Sequence, residues 1–488
     1  MKLQKTRIIL FVFLLQSASI LSGFSQQLGA NFNENIDKVS PALINKTNSG
    51  WVRGFLNIPS LCLNMSSTGT VTGVNESAIQ NMTRLDNLAN AKTVTIGEQP
   101  VKMIFSLKMA FTTNSMGVPA AGTTTMNYVM TAIEKVLNRN NFGSKIDILV
   151  VGNEPMWETD NADADKYEVF LNLLIDKVDS MRTANNWNYE IFAGAINKAS
   201  QNTTNAILKK VMKVAIENPK VVGLDMHEHI TLLSEAESDL RYIRNSYKFT
   251  KKLIATEFSL VWLWGNHASD QLGTWGTQNG YSSTTKMYEW LNQLIQKSYN
   301  GTPVSAEHFI SYFKSTNWYQ EDWFYKFYQL FKTYDFSQVT YGIQNLPVGT
   351  VLTSSSVLWT LNFACNGTYL GTDTDKLGKF NPLVYPYFKQ ITDSVYHLTS
   401  GINNVKMEMQ PFMISPIPAK NYITITPNSS AISGDIEIFS LNGQKIFETQ
   451  KLSFPYTVNF NKNISSGTYL LKINTIDNNT FTQKIIVE

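Results

Sequence analysis

From Gln26 to about Ile402, short runs rich in Val, Ile and Leu alternate with longer segments of helical period. The candidate strands are Gln27 to Asn31, Trp51 to Ile58, Val101 to Lys108, Ile146 to Gly152, Tyr189 to Ala195, Val221 to Met226, Leu253 to Thr256 and Gln338 to Gln344. Between them lie helix-like stretches such as Thr124 to Asn138, Ala164 to Thr183, Asn205 to Glu217, Glu235 to Tyr247 and Thr284 to Lys297. Apolar runs without polar alternation read as strands buried on both faces, as in a parallel sheet covered by helices. Eight such units over roughly 380 residues fit an α/β chain folded as a (β/α)8 TIM barrel with insertions, rather than an open sheet. Two segments stand outside the alternation and read as elaborations of the barrel: the Ser/Thr/Gly/Asn-rich Asn57 to Glu76, and the aromatic Ser305 to Tyr334.

The pattern changes near Val405. Met407 to Pro418 carries Pro and Met, and from Asn421 the chain turns to short alternating runs: Tyr422 to Thr426, Asp435 to Ser440, Lys445 to Glu448, Thr457 to Phe460, Thr468 to Ile473 and Thr480 to Val487. Turn residues at Leu441-Asn-Gly443 and Ser465-Ser-Gly467 separate some of them, which predicts a small antiparallel β-sandwich. The expected layout is a leader over 1–25, a barrel over 26–405, a linker over 406–418 and the sandwich over 419–488. The last of these resembles the C-terminal sorting domain of substrates of the Bacteroidetes type IX secretion system. The matching residues are Ser415-Pro-Ile-Pro-Ala-Lys-Asn-Tyr422, Leu441-Asn-Gly-Gln-Lys445, Ser465-Ser-Gly-Thr-Tyr-Leu470 and Lys484-Ile-Ile-Val-Glu488. A carbohydrate-binding sandwich is the competing reading, weakened by the few aromatics on its expected outer faces.

The N-terminus agrees with export. Lys2, Lys5 and Arg7 precede the apolar run Ile8 to Leu15, and the small residues Gly23 and Ser25 follow at signal-peptidase spacing. That run is too short for a membrane span of about 20 residues. The expected location is therefore secreted or attached to the cell surface after outer-membrane export. The formal charge of +3 in 488 residues points to no nucleic acid or anionic membrane. Cys62 and Cys365 are the only cysteines, and their spacing alone leaves a bridge and two buried thiols equally open.

In a parallel barrel the strand ends and the loops after them form one face, where catalytic groups gather. Glu154, after the fourth candidate strand in VVGNEPMWE, and Glu257, ending the seventh in LIATEF, are acids attached to apolar runs. A carboxylate there is unfavourable unless it is paired or faces a polar cleft. Strands four and seven lie across the barrel mouth, and two facing carboxylates suit glycoside hydrolysis. In these residues the chain resembles the clan A glycoside hydrolases. The resemblance covers about Gln26 to Ile402 but rests on few positions: Asn153-Glu154-Pro155, Glu257, and Arg53 in Trp51-Val-Arg-Gly54. It implies Glu154 as general acid/base, Glu257 as nucleophile, Asn153 as a ligand of a substrate hydroxyl, Arg53 beside the nucleophile, retention of configuration, and no cofactor. Many members place a tyrosine on strand six. Here Asp225-Met-His-Glu-His229 stands instead, so His227 or His229 takes that place, with His227 favoured as nearer the expected strand end. A zinc site on these histidines lacks a recognisable third ligand in the sequence. Glu158 and Glu228 are neighbouring carboxylates that are either surface groups or substrate ligands. Trp157, Trp262, Trp264 and Trp318 are candidate stacking platforms for pyranose rings, or else loop packing. The resulting expectation is a secreted retaining glycosidase acting on β-linked polysaccharide or oligosaccharide. The competing one is a non-catalytic glycan-binding surface protein on the same barrel.

Overall fold

A computed structural model describes residues 27–97, 99–396, 412–415, 419–427, 433–440, 443–460, 464–476 and 480–487. The expected leader and residues 406–411 and 416–418 of the expected linker lie outside these. The chain divides into two compact units at residues 400 and 401.

The first unit is a closed barrel of eight parallel strands: β1 (Gln27–Asn31), β2 (Trp51–Asn57), β3 (Lys102–Lys108), β4 (Ile148–Val151), β5 (Glu190–Asn197), β6 (Val221–His229), β7 (Lys252–Ser259) and β8 (Phe336–Gly342). Each pairs with its sequence neighbour, and β1 closes the ring on β8 through Gln27↔Gln338 to Asn31↔Gly342. All eight expected strands are present in order. The helices follow the expected period: Thr124–Asn138 is capped by Thr123, whose Oγ1 accepts from Met126 N, and buries Met126, Val129, Ile133, Val136 and Leu137 on one stripe.

Side chains alternate across a strand, so one set lines the barrel and the other meets the helices. Trp51, Ile104, Ile148, Val150, Phe192 and Ile254 form a small interior core separate from the large core beneath the helices. Two residues beyond Trp51, Ile104 and Ile254, towards the C-terminal ends, stand the buried polar side chains Arg53, Ser106 and Thr256. The barrel interior therefore has an apolar floor and a polar upper layer.

The Asn57 to Glu76 elaboration contains a hairpin, Leu63–Met65 with Val71–Val74. The aromatic segment does not behave as an elaboration. Its helix Trp323–Thr333 sets Phe324, Phe327 and Phe331 with ring centroids 4.9–5.3 Å from Phe258 of β7, which also meets Tyr341 of β8 at 4.9 Å. This is the helix that covers the barrel between β7 and β8, and its aromatic content fills core. Cys62 and Cys365 are buried free thiols, each pushed up to about 12 by burial.

The second unit is antiparallel, with sheets of three and four strands. Phe412–Ser415, within the expected linker, pairs with Tyr422–Pro427, which pairs with Tyr456–Asn459. Lys445–Ser453, Ser433–Ser440, Gly467–Thr475 and Thr480–Val487 form the other sheet in that order. Period-two burial sends Ile423, Ile425, Ile436, Ile438, Leu471 and Ile473 into its core.

Candidate active site

β4 ends at Val151, and Gly152 at φ +126° turns the chain so that Asn153 and Glu154 leave the barrel wall before Pro155 starts a one-turn helix, Pro155–Glu158. A Cβ on Gly152 would stand 2.1 Å from the Gly194 carbonyl oxygen, so only glycine fits this turn. Glu257 lies two residues before the end of β7 and Arg53 near the middle of β2.

Arg53 is fully buried and its guanidinium organises the upper layer. Nη1 pairs with Glu257 Oε1 at 2.6 Å and also donates to Asn33 Oδ1 and Asn31 Oδ1 at 3.1 and 3.3 Å. Nη2 donates to Asn153 Oδ1 at 2.8 Å, and Nε to Ser106 Oγ at 3.3 Å. The Asn153 amide passes the contact on, donating to Glu158 Oε1 at 2.9 Å. Glu158 is thus a buried group that orients Asn153, and burial raises its proton affinity.

The strand-six histidines stand between the two acids. β6 runs on to His229, three residues past its expected end, because inward polar residues continue the strand without extending the apolar run. His227 Nδ1 lies 3.1 Å from Glu154 Oε1, and its Nε2 lies 3.7 Å from Glu257 Oε1. His229, at the strand end, holds Nε2 3.4 Å from Glu257 Oε2 and Nδ1 2.8 Å from Ser259 Oγ. His229 is therefore the residue at the strand end beside Glu257 Oε2, and His227 is the partner of Glu154. Thr256 Oγ1 donates to the buried Asp225 Oδ2 at 2.7 Å, so it accepts from His227 Nε2 at 3.0 Å. That chain assigns hydrogen to Nε2 and leaves Nδ1 to share one proton with Glu154. Asn197, at the end of β5, donates to the same Glu154 oxygen at 3.3 Å.

These contacts make two chemically identical carboxyls different. Burial would push Glu257 up, but the charges of His227 and Arg53 and the hydrogen bond of His229 outweigh it and hold it well below the usual range. Burial also opposes ionisation of Glu154, and His227 overcomes it, while the charge of Glu257 pushes Glu154 upward. Burial would lower His227, but Glu257, Glu154 and Asp225 keep its proton affinity raised. Glu228, one residue out of phase, is fully buried away from the cleft, where its carboxyl meets that of Asp239 rather than Glu154 or Glu257.

The tryptophans divide. Trp157 is 59% exposed, and Trp262 is 36% exposed with Lys198 Nζ 4.9 Å above its ring. Trp264 is 1% exposed and donates from Nε1 to Asn362 Oδ1 at 2.9 Å, so it offers no face to a sugar and is corrected to a core residue. Trp318 stacks on His267 with centroids 4.1 Å apart. Trp359, in the loop after β8, was missed: it is 43% exposed and meets His229 edge-on at 4.8 Å. Its signal is the rule used for the acids, a tryptophan in a loop beyond a strand's C-terminal end. Asn197, Asp225 and Thr256 were also missed. Glu154, His227 and His229 bring three possible metal-ligand atoms within 4.8 Å of one another, so the third ligand that the sequence did not reveal is Glu154.

Comparison with curated proteins finds no match to this chain. Among solved structures it is similar to a Cellulomonas fimi endo-β-1,4-mannanase double mutant at 11% identity, covering 95% of this chain and 94% of that one with TM-score 0.39. It is also similar to the Rhizomucor miehei endo-1,4-β-mannanase (11% identity, 75% and 95% covered, TM-score 0.41) and to the Ignisphaera aggregans GH53 catalytic domain (11%, 76% and 97%, TM-score 0.39). Residues 413–488 match the family described as the secretion system C-terminal sorting domain.

Proposed function

We propose that this protein is an exported retaining glycoside hydrolase that cleaves β-glycosidic bonds of a polysaccharide or oligosaccharide. The observation that carries the reading is the pair Glu154 and Glu257, delivered from the ends of β4 and β7 to opposite nitrogens of one buried imidazole, with Arg53 bonded to one of them alone. In the first step ionised Glu257 attacks the anomeric carbon as the proton that Glu154 shares with His227 passes from Glu154 to the leaving oxygen. A glycosyl ester forms and the aglycone departs. Oε2 is the attacking oxygen, because Oε1 is taken by Arg53. Esterification removes the Glu257 charge, and with it the upward push on Glu154. Glu154 then stands ionised after giving up its proton, the form able to take the proton of the water that cleaves the ester. Asn153, held by Arg53 and Glu158, presents an amide to a sugar hydroxyl, and Trp359 and Trp157 supply exposed faces for pyranose rings. The sorting-domain match over 413–488 supports export through the type IX machinery and release or attachment at the cell surface.

The test is turnover of aryl β-glycosides and of plant and algal polysaccharides by wild type, Glu154→Gln and Glu257→Gln. Loss of turnover in both variants with retained glycan binding is expected. Binding by wild type with no substrate turned over would replace the enzyme with a glycan-binding surface protein.

A further inference from the structure

His227 and His229 stand two residues apart on β6, facing the same cleft as Glu154. Glu154 Oε1 and His227 Nδ1 are 3.1 Å apart, close to the separation of roughly 3.4 Å between two donors of a tetrahedral zinc ion with bonds near 2.0–2.1 Å. His229 completes the group, one possible ligand atom from each of the three residues lying within 4.8 Å of the others, and since its Nδ1 is engaged by Ser259 Oγ, Nε2 is the atom left to bind. Glu257 Oε2 is a further oxygen, 3.4 Å from His229 Nε2.

The outer partners fit as well. An imidazole that binds a metal through one nitrogen is usually held in place at the other, and both rings here are so held. His227 Nε2 hydrogen bonds Thr256 Oγ1 at 3.0 Å, which is anchored on Asp225. His229 Nδ1 hydrogen bonds Ser259 Oγ at 2.8 Å. The nitrogens left over are the two aimed at the carboxylates. Two imidazoles and a single carboxylate favour a borderline transition ion of the zinc, cobalt or nickel type over calcium or magnesium.

We propose that Glu154, His227 and His229 form a binding site for one divalent transition-metal ion, held by Glu154 Oε1, His227 Nδ1 and His229 Nε2. The lone pairs that otherwise share a proton then share the cation. A second clause rests on the hydrolase reading: an ion on Oε1 removes the acid/base from use, so it holds the enzyme off.

The full chain, stripped with a chelator and dialysed, is titrated with CoCl2 while the visible absorption of tetrahedral cobalt is followed, and with ZnCl2 by calorimetry. One ion per chain is expected, with at least about 100-fold weaker binding in His229→Ala and roughly tenfold weaker binding in Ser259→Ala, which keeps all three ligands but releases the His229 ring. His229→Gln replaces the alanine variant if the latter does not fold. No binding at one equivalent, or binding unchanged by the His229 substitution, overturns the site. In the activity arm, chelated wild type is expected to turn substrate over and added Zn2+ to suppress it reversibly. Activation by Zn2+ would overturn the inhibitory clause. Ion binding without any turnover leaves the site standing and defeats the hydrolase reading; turnover without ion binding does the reverse.

Discussion

Arg53→Met removes a fully buried guanidinium from the barrel interior while keeping most of the side-chain volume. Glu257 then sits in a largely enclosed position, its side chain 14% exposed, without the partner 2.6 Å from its Oε1, and Asn153 and Ser106 each lose a donor. Removing one member of a buried ion pair destabilises by about 3–5 kcal/mol. Extending the size trend of melting temperatures to a barrel this large, at roughly 2 °C per kcal/mol, gives a fall of about 6–10 °C. Glu257→Gln alone leaves a buried guanidinium facing an amide and destabilises for the same reason. The double variant leaves neither charge stranded, so its loss is expected to be smaller than the sum of the singles by about 2–3 kcal/mol. Urea unfolding of the four proteins, followed by tryptophan fluorescence, measures this coupling. Losses that add within about 0.5 kcal/mol would show that the pair does not act as a unit and would refute the argument. The kinetic counterpart has a definite sign. The guanidinium charge holds Glu257 below the usual carboxylate range, so without it the acid limb of kcat/KM moves to higher pH, and Arg53→Lys moves it less.

Three further outcomes are expected. Burial and the nearby Asp239 push Glu228 well above the usual carboxylate range, so the folded chain keeps a proton that an unfolded glutamate loses near pH ~4.3, and this group's contribution falls as pH rises above that value. Melting curves at pH 5 and pH 8 are therefore expected to show a smaller loss with rising pH in Glu228→Gln than in wild type; parallel losses would refute the assignment. Trp359→Ala is expected to weaken substrate binding about tenfold, from roughly 1.4 kcal/mol of lost stacking, with little change in melting temperature, whereas Trp264→Ala lowers stability by about 3–5 kcal/mol. A reversed pattern in KM and Tm would undo the division between platform and core. Gly152→Ala drives a Cβ to 2.1 Å from the Gly194 carbonyl oxygen at a positive φ, so it displaces Asn153 and Glu154 and lowers kcat by about 100-fold or more; near-wild-type kcat would count against the role of this turn.

The barrel was legible because seven of its eight strands are short apolar runs bounded by turns or helical period, and such runs survive without knowledge of their partners. What the pattern lost is where a strand becomes polar. β5 and β6 extend to Asn197 and His229, past the ends that hydrophobicity marks at Ala195 and Met226, because their last inward side chains face the cleft. Hence hydrophobicity alone gives no sign of Asn197 and points to His227 rather than His229 as the strand-end residue. The Asp225, Thr256 and His227 chain joins β6 to β7 through the register in which these two strands pair, and no spacing along the sequence encodes it. Tryptophans show the same limit: Trp262 and Trp264 are two residues apart on one short helix, yet only the first reaches solvent.

The roles of the two acids follow from which cation touches which. A carboxyl bonded to a guanidinium has a partner that never gives up its proton at ordinary pH, so Glu257 is held ionised before substrate binds, which in the proposed reaction fits it to attack rather than to donate a proton. A carboxyl bonded to an imidazole has a partner that titrates, so Glu154 can hold or release a proton as its surroundings change charge. Exchanging the acids between β4 and β7 would therefore not exchange their chemistry. It is set by Arg53 on β2 and His227 on β6, and the asymmetry is already present before any substrate enters the cleft.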